Sequence, residues 1–305
     1  MTFSSEVTVI ITTYNREKLL RRAIDSVLAQ TYPNWELVIV DDASTDGTSD
    51  LVKKYTDKRI RYIRHPENSG SSASLNTGIL SAVTPYICIL DSDDEYLPTH
   101  LEKHINLIKS SPLEPGMVYC RIGEKQADGS LKPAHFNLIR GQAYKQALWQ
   151  GYLAQMASML IKRECFQKVG MFDTLFPCFK DDDICFRIAK EYRVDFIPEI
   201  LVIINRDAPS QLTRDPKKYA IGWYYLLEKH GADILTECGI DRLSRHYVRA
   251  GWLFLKAHQV SKSMSALKKA YQLYRNPFKF ITAIFNGVKE KLFKSRSEVN
   301  LTDAD

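Results

Sequence analysis

No run of about 18 consecutive apolar residues occurs in the 305-residue chain, so no segment is expected to cross a membrane as a helix. The six cysteines form no CxxC pair, which excludes the common dithiol and zinc spacings. Cys88 sits inside an apolar run, and the set reads as reduced thiols in a cytoplasmic protein. The N-terminal MTFSSEVTVIITTYNRE has neither a basic n-region nor a cleavage site, so no signal peptide is expected. TTYNRE contains no glycine where a dinucleotide fold would carry GxGxxG, or a nucleotidyltransferase a glycine-rich basic loop. Both classes are disfavoured. His100 and His104 lie four apart but lack the glutamate of HExxH, and they read as a surface pair on a helix. A net charge of +6 is too small to argue for nucleic acid, and no nucleic-acid partner is expected.

With 45% hydrophobic and 26% charged residues, the chain can bury a sizeable core. Short apolar runs alternate with helical spacing over the first 110 residues. Strands are expected at Val7–Thr12, Glu36–Val40, Ile60–Ile63 and Tyr86–Leu90, and helices at Arg16–Gln30 and Ser72–Ser81. Runs that are apolar throughout and separated by helices imply parallel strands covered on both faces. The expected fold class is therefore α/β, with a doubly wound, mainly parallel sheet and a C-terminal helical extension. From residue 111 the alternation weakens, with loops marked by Pro112, Pro115, Gly123, Gly129 and Pro133. Further elements are expected at Ala157–Ile161 (strand), Arg163–Val169 and Asp181–Glu191 (helices), and Val194–Ile197 and Ile200–Ile204 (strands). Beyond Pro216 only helices are expected, at 217–230, 241–258, 261–274 and 277–294. This divides the chain into 1–214 and 215–305.

The stretch ILDSDDEYLP places Asp91, Asp93, Asp94 and Glu95 directly after an apolar run. One acid suffices to cap a helix, and four repel one another. Carboxylates in that density suit a hard divalent cation, which takes one or two of them together with phosphate oxygens. Asp41-Asp42 ends the second strand, so both acidic clusters can meet at one edge of a parallel sheet, where ligands of such folds bind.

Four stretches, VTVIITTYNRE, VIVDDASTDGT, NSGSSASLNTGI and YICILDSDDEYLP, together resemble the family 2 inverting glycosyltransferases of the GT-A fold. A weaker match continues through VGMFD and KDDDICFRIAKEYRVDFIPEIL, so the likeness covers about two-thirds of the chain. The resemblance implies that Thr12 and Tyr14 line the base pocket and that Asp42 accepts a hydrogen bond from the base, usually uracil. It implies that Asp91 approaches the ribose or sugar, and that Asp93 and Asp94 hold Mn²⁺ or Mg²⁺ against a nucleoside diphosphate. The catalytic base of the family precedes a helical arginine by six residues, which points from Arg187 to Asp181, with Asp182 and Asp183 competing. Two positions depart from the pattern: Lys180 replaces a glutamate, and Leu75 replaces an arginine that contacts the donor. Arg206 or Arg214, in a loop resembling one that closes over the donor, could supply that contact.

The implied activity is metal-dependent transfer from a UDP-sugar to a hydroxyl of a glycan or lipid-linked acceptor, in cell-surface polysaccharide synthesis. A degenerate sugar-nucleotide-binding protein is the alternative. Between residues 262 and 296, nine Lys/Arg face one acid, Glu290, and the apolar residues keep helical spacing. This segment is either a packed helix or an interfacial one resting on an anionic inner membrane surface.

Overall fold

The computed structural model describes residues 5–126, 129–134, 137–205, 215–274, 276 and 280–282. These fall into two compact units: the first holds residues up to 175 and from 180 onward through the last strand, the second holds 176–179 and the C-terminal helices.

In the first unit, β1 (Val7–Thr13) is built of Val, Ile and Thr, whose branched Cβ favours extended backbone. It pairs in parallel with β2 (Trp35–Asp41) on one side and β4 (Tyr86–Asp91) on the other, and β3 (Ile60–Arg64) extends the sheet beyond β2. The connecting helices are α1 (Glu17–Leu28), α2 (Thr48–Val52) and α3 (Ser71–Ser81). Helix α1 buries Leu20, Ala23, Ile24 and Val27, one apolar stripe at helical spacing. The chain turns to opposite sides of β1 for β2 and β4, so a crevice opens at their carboxyl ends. There Thr13 is level with Asp41 and Thr12 with Asp91.

The second half of the sheet is mixed. After β5 (Glu95–Tyr96) and α4 (His100–Ser110) come β6 (Met117–Lys125), β7 (Leu131–Pro133), α5 (Tyr144–Gln150), β8 (Met159–Lys162), α6 (Arg163–Val169), α7 (Lys180–Glu191) and β9 (Val194–Ile204). The order is β3-β2-β1-β4-β8-β6-β9-β5, with β7 on β6. Strand β8 runs antiparallel to β4 and β6, while β9 runs parallel to β6.

Three expectations change here. The region read as loops around Gly123 and Pro133 contains β6 and β7. Gly123 is a strand residue because a Cβ there would lie 2.9 Å from Ile200 Cγ2. The two short strands expected at 194–204 are one strand, bulged where Pro198 and Glu199 have no partners on β6. His100 and His104 are not a surface pair: both are 0% exposed. They share the inner face of α4 with Leu101, Ile105 and Ile108, and the His100 ring stacks on Tyr96 at 3.7 Å.

The second unit contains α8 (Pro216–Cys238), α9 (Ile240–Lys256) and α10 (Val260–Tyr274). Asp215 caps α8 by accepting from the Lys217 and Lys218 amides, with Pro216 at the first helical position. Helices α9 and α10 cross closely at Gly251, whose carbonyl accepts from the Ser263 hydroxyl. No helix among the described residues is long and apolar enough to cross a membrane. Most of the helix expected at 277–294, with the basic end of the tail, lies outside the described residues, as do Arg206 and Arg214.

Gly78 presses α3 against β1, since a Cβ there would sit 2.5 Å from Ile10 Cγ2. Alanine improves helix propensity by up to about 1 kcal/mol, whereas overpacking costs about 1–3 kcal/mol. Gly78→Ala is therefore expected to lower stability in urea denaturation. An equal or higher midpoint would show that α3 shifts away from β1 at no cost.

Candidate functional site

The loop after β1 is stitched to the loop after β2. The Asn15 amide donates to Ser44 Oγ at 2.9 Å, and Asn15 Oδ1 accepts from the Thr45 amide at 2.7 Å. Asn15 and Ala43 both adopt left-handed backbone, at φ 51 and 64. Tyr14, between the two strand ends, is 47% exposed. Its ring is available to a ligand face, and Thr12 lies just behind it at the end of β1.

The two acids of VDD divide their work. Asp41 is fully buried and accepts from the Tyr62 hydroxyl and the Ser44 amide, so it holds the fold. Asp42 Oδ1 accepts from His65 Nδ1 at 2.8 Å and the Ser69 amide at 2.9 Å, and Oδ2 accepts from the Gly70 amide at 2.8 Å. His65 Nε2 in turn meets Thr77 Oγ1 at 2.9 Å. Burial disfavours the Asp42 carboxylate, but the donors from Ser69, His65 and Gly70 outweigh it and hold the pKa below its ordinary value. A carboxylate has about four acceptor positions; among the described residues three are used, and one remains on Oδ2.

The acidic loop after β4 is bound by Arg16 at the N-cap of α1, by Arg22 within α1 and by the end of β9. Asp93 Oδ1 lies 3.0 Å from Arg16 Nη1, and the Asp93 carbonyl accepts from Arg22 Nη2 at 2.7 Å and Asn205 Nδ2 at 3.1 Å. Asp94 Oδ1 accepts from the Asn205 amide at 3.0 Å. Glu95 accepts from Asn205 Nδ2 at 3.1 Å and lies 3.4 Å from Arg22 Nε. Asp94 and Glu95 thus fasten the loop to β9. Asp91 has its pKa raised to about 6, first by burial and then by Asp93 and Asp181, against the opposing charges of Lys180 and Arg16. The structure therefore brings Asp91, Asp93, Lys180 and Asp181 into one electrostatic neighbourhood. Carboxylate oxygens are the donors that Mg²⁺ and Mn²⁺ prefer, and crowding that already raises Asp91 would be relieved by a cation. Asp91 and Asp93 carry oxygen donors of the type such an ion prefers, with Asp93 Oδ1 engaged by Arg16.

The three acids that open α7 separate. Asp183 is fully buried and paired with Arg187, through Nη2 at 2.7 Å and Nε at 3.0 Å. Arg187 also donates to the carbonyls of Val169 (2.7 Å), Gly170 (3.0 Å) and Met171 (2.9 Å). The next residue of that turn, Phe172, exchanges two backbone hydrogen bonds of 2.9 Å with the Asn76 side chain on α3. Asp182 is 4% exposed on the inner side of α7. Asp181 is only partly covered, and burial raises its pKa while Lys180 and the helix-start amides oppose.

Leu75 is 1% exposed, so that position is a core contact of α3. His100, His104 and Cys120 bring ligand-type atoms within 4.8 Å of one another. The two rings, however, are stacked 4.1 Å apart at 32°, and both His104 nitrogens lie on carbonyls, of His100 at 2.7 Å and Ser158 at 3.0 Å. This is a packed column, kept neutral by burial that lowers both pKa values. Arg16, Arg22, His65, Asn76 and Asn205 received no role from the sequence. Arg16 and Asn76 stand inside quoted motifs, TTYNRE and NSGSSASLNTGI, and were open to notice. The others act through contacts with no local signature.

A model of the family described as "Glycosyl transferase family 2" matches residues 8–170. An uncharacterized glycosyltransferase of Rickettsia prowazekii (strain Madrid E) is 32% identical over 66% of this chain and 64% of its own length. WcaA of Escherichia coli (strain K12), whose name assigns it to colanic acid biosynthesis, is 31% identical over 79% of this chain and 85% of its own. Among solved structures, TarS of S. aureus in complex with UDP-GlcNAc matches with a TM-score of 0.69 at 17% identity, covering 88% of this chain and 81% of that one. The mannosyltransferase PcManGT from Pyrobaculum calidifontis, in complex with GDP-Man and Mn²⁺, gives 0.62 at 20% identity, covering 96% and 82%. The sheet and its flanking helices are thus those of a GT-A fold.

Asp91 gives the site a measurable pH signature. Its folded pKa, about 6, exceeds the ordinary 3.8, so the folded state keeps a proton that the unfolded chain releases. Stability is therefore lost as pH rises between these values. In EDTA, the melting temperature of Asp91→Asn relative to the parent should climb as pH goes from about 4 to about 7. A constant difference across that range would contradict the assignment.

Proposed function

The chain belongs to glycosyl transferase family 2 and is a glycosyltransferase, and on that premise we propose that it moves a sugar, with inversion, from a UDP-sugar to a hydroxyl of a glycan or lipid-linked acceptor. The observation that carries this reading is the meeting of Asp91 and Asp93, at the end of β4, with Lys180 and Asp181, at the start of α7. Asp181 is the base: it takes the acceptor proton as the acceptor oxygen bonds to the anomeric carbon and the bond to the diphosphate breaks. One displacement of this kind inverts the centre. Its pKa, raised by burial, makes it a better proton acceptor than a solvated carboxylate. Asp93, with Asp91 and Asp94 alongside, would hold Mn²⁺ or Mg²⁺, which when bound neutralises charge on the departing diphosphate.

Tyr14 and Thr12 face the base, and Asp42 reads it. The single acceptor position left on Asp42 suits one N–H, as uracil N3 offers, whereas guanine presents two adjacent donors. This favours uridine, the nucleoside of the UDP-GlcNAc in complex with TarS, over the guanosine of the GDP-Man in complex with PcManGT. The proposed setting is cell-surface polysaccharide synthesis at the cytoplasmic side, supported as to polysaccharide synthesis by the colanic acid biosynthesis in WcaA's name, with the basic tail as a peripheral anchor to anionic lipid.

Release of nucleotide from UDP-glucose, UDP-GlcNAc, UDP-galactose and GDP-mannose, with and without Mn²⁺, tests the reading. Asp93→Asn should abolish the Mn²⁺-dependent part, and Asp181→Asn should lower turnover at least about a hundredfold with donor affinity little changed. Turnover surviving in Asp93→Asn would remove the metal assignment, and loss confined to Asp182→Asn would move the base by one residue. No turnover of any donor, with UDP still bound, would favour a degenerate binding protein, consistent with lysine at 180. Sedimentation with anionic vesicles should be salt-sensitive and should vanish on deletion of residues 276–305. Equal binding by the truncated chain would place any lipid contact elsewhere.

A further inference from the structure

Asp42 is served by residues 65–70, more than twenty positions along the chain. The amides of Ser69 and Gly70 give one hydrogen bond to each carboxylate oxygen, to Oδ1 at 2.9 Å and to Oδ2 at 2.8 Å. Those two donors alone would leave one acceptor position on each oxygen, a two-point edge. His65 Nδ1, 2.8 Å from Oδ1, takes one of the two. A carboxylate only accepts, so the hydrogen is on Nδ1, and a neutral ring then presents a lone pair at Nε2. The Thr77 hydroxyl, 2.9 Å away, donates to it. Both ends of this relay are anchored. The His65 amide donates to the Asp41 carbonyl at 2.8 Å, which prolongs the pairing of β3 with β2 by one residue. On α3, the neighbours of Thr77 fix the helix: Asn76 exchanges two hydrogen bonds with Phe172, and Gly78 lies against Ile10 of β1. The side chains of His65 and Asp42 are only 12% and 5% exposed, so water does not compete freely for their bond.

We propose that His65 is a specificity-determining residue: by filling Oδ1 it leaves Asp42 able to accept from one base donor rather than two. The proposal rests on the reading of Asp42 as the group that meets the donor's base. Uracil offers a single N–H, at N3, between two carbonyls. Guanine offers N1–H and the 2-amino group side by side, a pair that a carboxylate with one open position on each oxygen would take bidentately. With His65 in place both lone pairs of Oδ1 are engaged, by His65 and by Ser69. The second guanine donor then meets a filled oxygen, and a donor left unpaired out of water costs binding. Hypoxanthine, a purine with N1–H but no 2-amino group, suffers no such loss. His65 acts through Asp42 without touching substrate, and Thr77 acts through His65 by fixing its tautomer. A residue that merely supported the fold would affect all nucleotides alike, whereas a filled acceptor penalises the one with the second donor.

Calorimetric titration of the full chain with UDP, GDP and inosine diphosphate, at one Mn²⁺ concentration, provides the test. The parent should bind UDP at least about tenfold more tightly than GDP, and GDP no more tightly than inosine diphosphate. His65→Leu keeps bulk beside the carboxylate but has no donor. It should cut the UDP-over-GDP preference about tenfold and make GDP bind more tightly than inosine diphosphate. His65→Asn, whose amide N–H can stand where Nδ1–H does, should keep the parent's order. Thr77→Val should move the preference in the direction of His65→Leu, by less. An unchanged preference in His65→Leu, an equal loss for all three nucleotides, or a parent that prefers GDP would overturn the proposal. Should His65→Leu not fold, His65→Gln, whose amide reaches past the Nδ1 position, carries the same expectation and the same refutation. Asp42→Asn separates the two levels. If it binds UDP as the parent does, Asp42 does not read the base; if it loses UDP affinity while His65→Leu keeps the preference, only the role of His65 falls.

Discussion

The carboxyl edge of the sheet is governed by one constraint: carboxylates brought together out of water must each find a compensating partner. Parallel pairing of β1 with β2 and β4 places Asp41, Asp42 and Asp91 within one crevice, and every nearby feature answers to their charge. Asp42 is satisfied by amides of the loop entering α3 and by His65. Asp93 has Arg16, and Asp183 has Arg187. Asp91 and Asp181 stay pushed toward the protonated form. It is at this under-compensated point that a doubly charged ion would relieve most.

Much of this architecture was legible in the chain. The apolar runs at 7–12, 36–40 and 86–90 could only be buried strands, and their acidic ends had to lie on one edge once the strands were parallel. The short helix expected at Arg163–Val169 forms over those residues. Legibility failed where local signals carried two meanings. Gly123 and Pro133 punctuate loops in most sequences, but here glycine admits Ile200 and proline ends an edge strand. Histidine at i and i+4 reads as solvent-facing, yet ring stacking on Tyr96 made the interior acceptable for neutral imidazoles. The site's partners were hidden for another reason. Asn205 reaches Asp94 across 111 residues, and nothing in either neighbourhood announces the other.

The departures from the family pattern divide in the same way. Leucine at 75 is explained by burial: the position faces the core, where an arginine would need a partner. Lysine at 180 is different. It stands among Asp91 and Asp181 and lowers the proton affinity of both, where a glutamate would raise it. Lysine at this position therefore favours the ionised form of both neighbouring acids, against the burial that raises their pKa values.

The distribution of thiols offers a way to watch the molecule move. Five of the six cysteines are buried and Cys238, beside the C-cap of α8, is partly open. A maleimide should therefore mark Cys238 first, giving the helical unit a single reporter. Cys178 is buried with its carbonyl against Gly222 of α8, so its rate of alkylation measures how often residues 176–179 lift from that helix. Slow labelling there would describe a segment that stays seated on its helix.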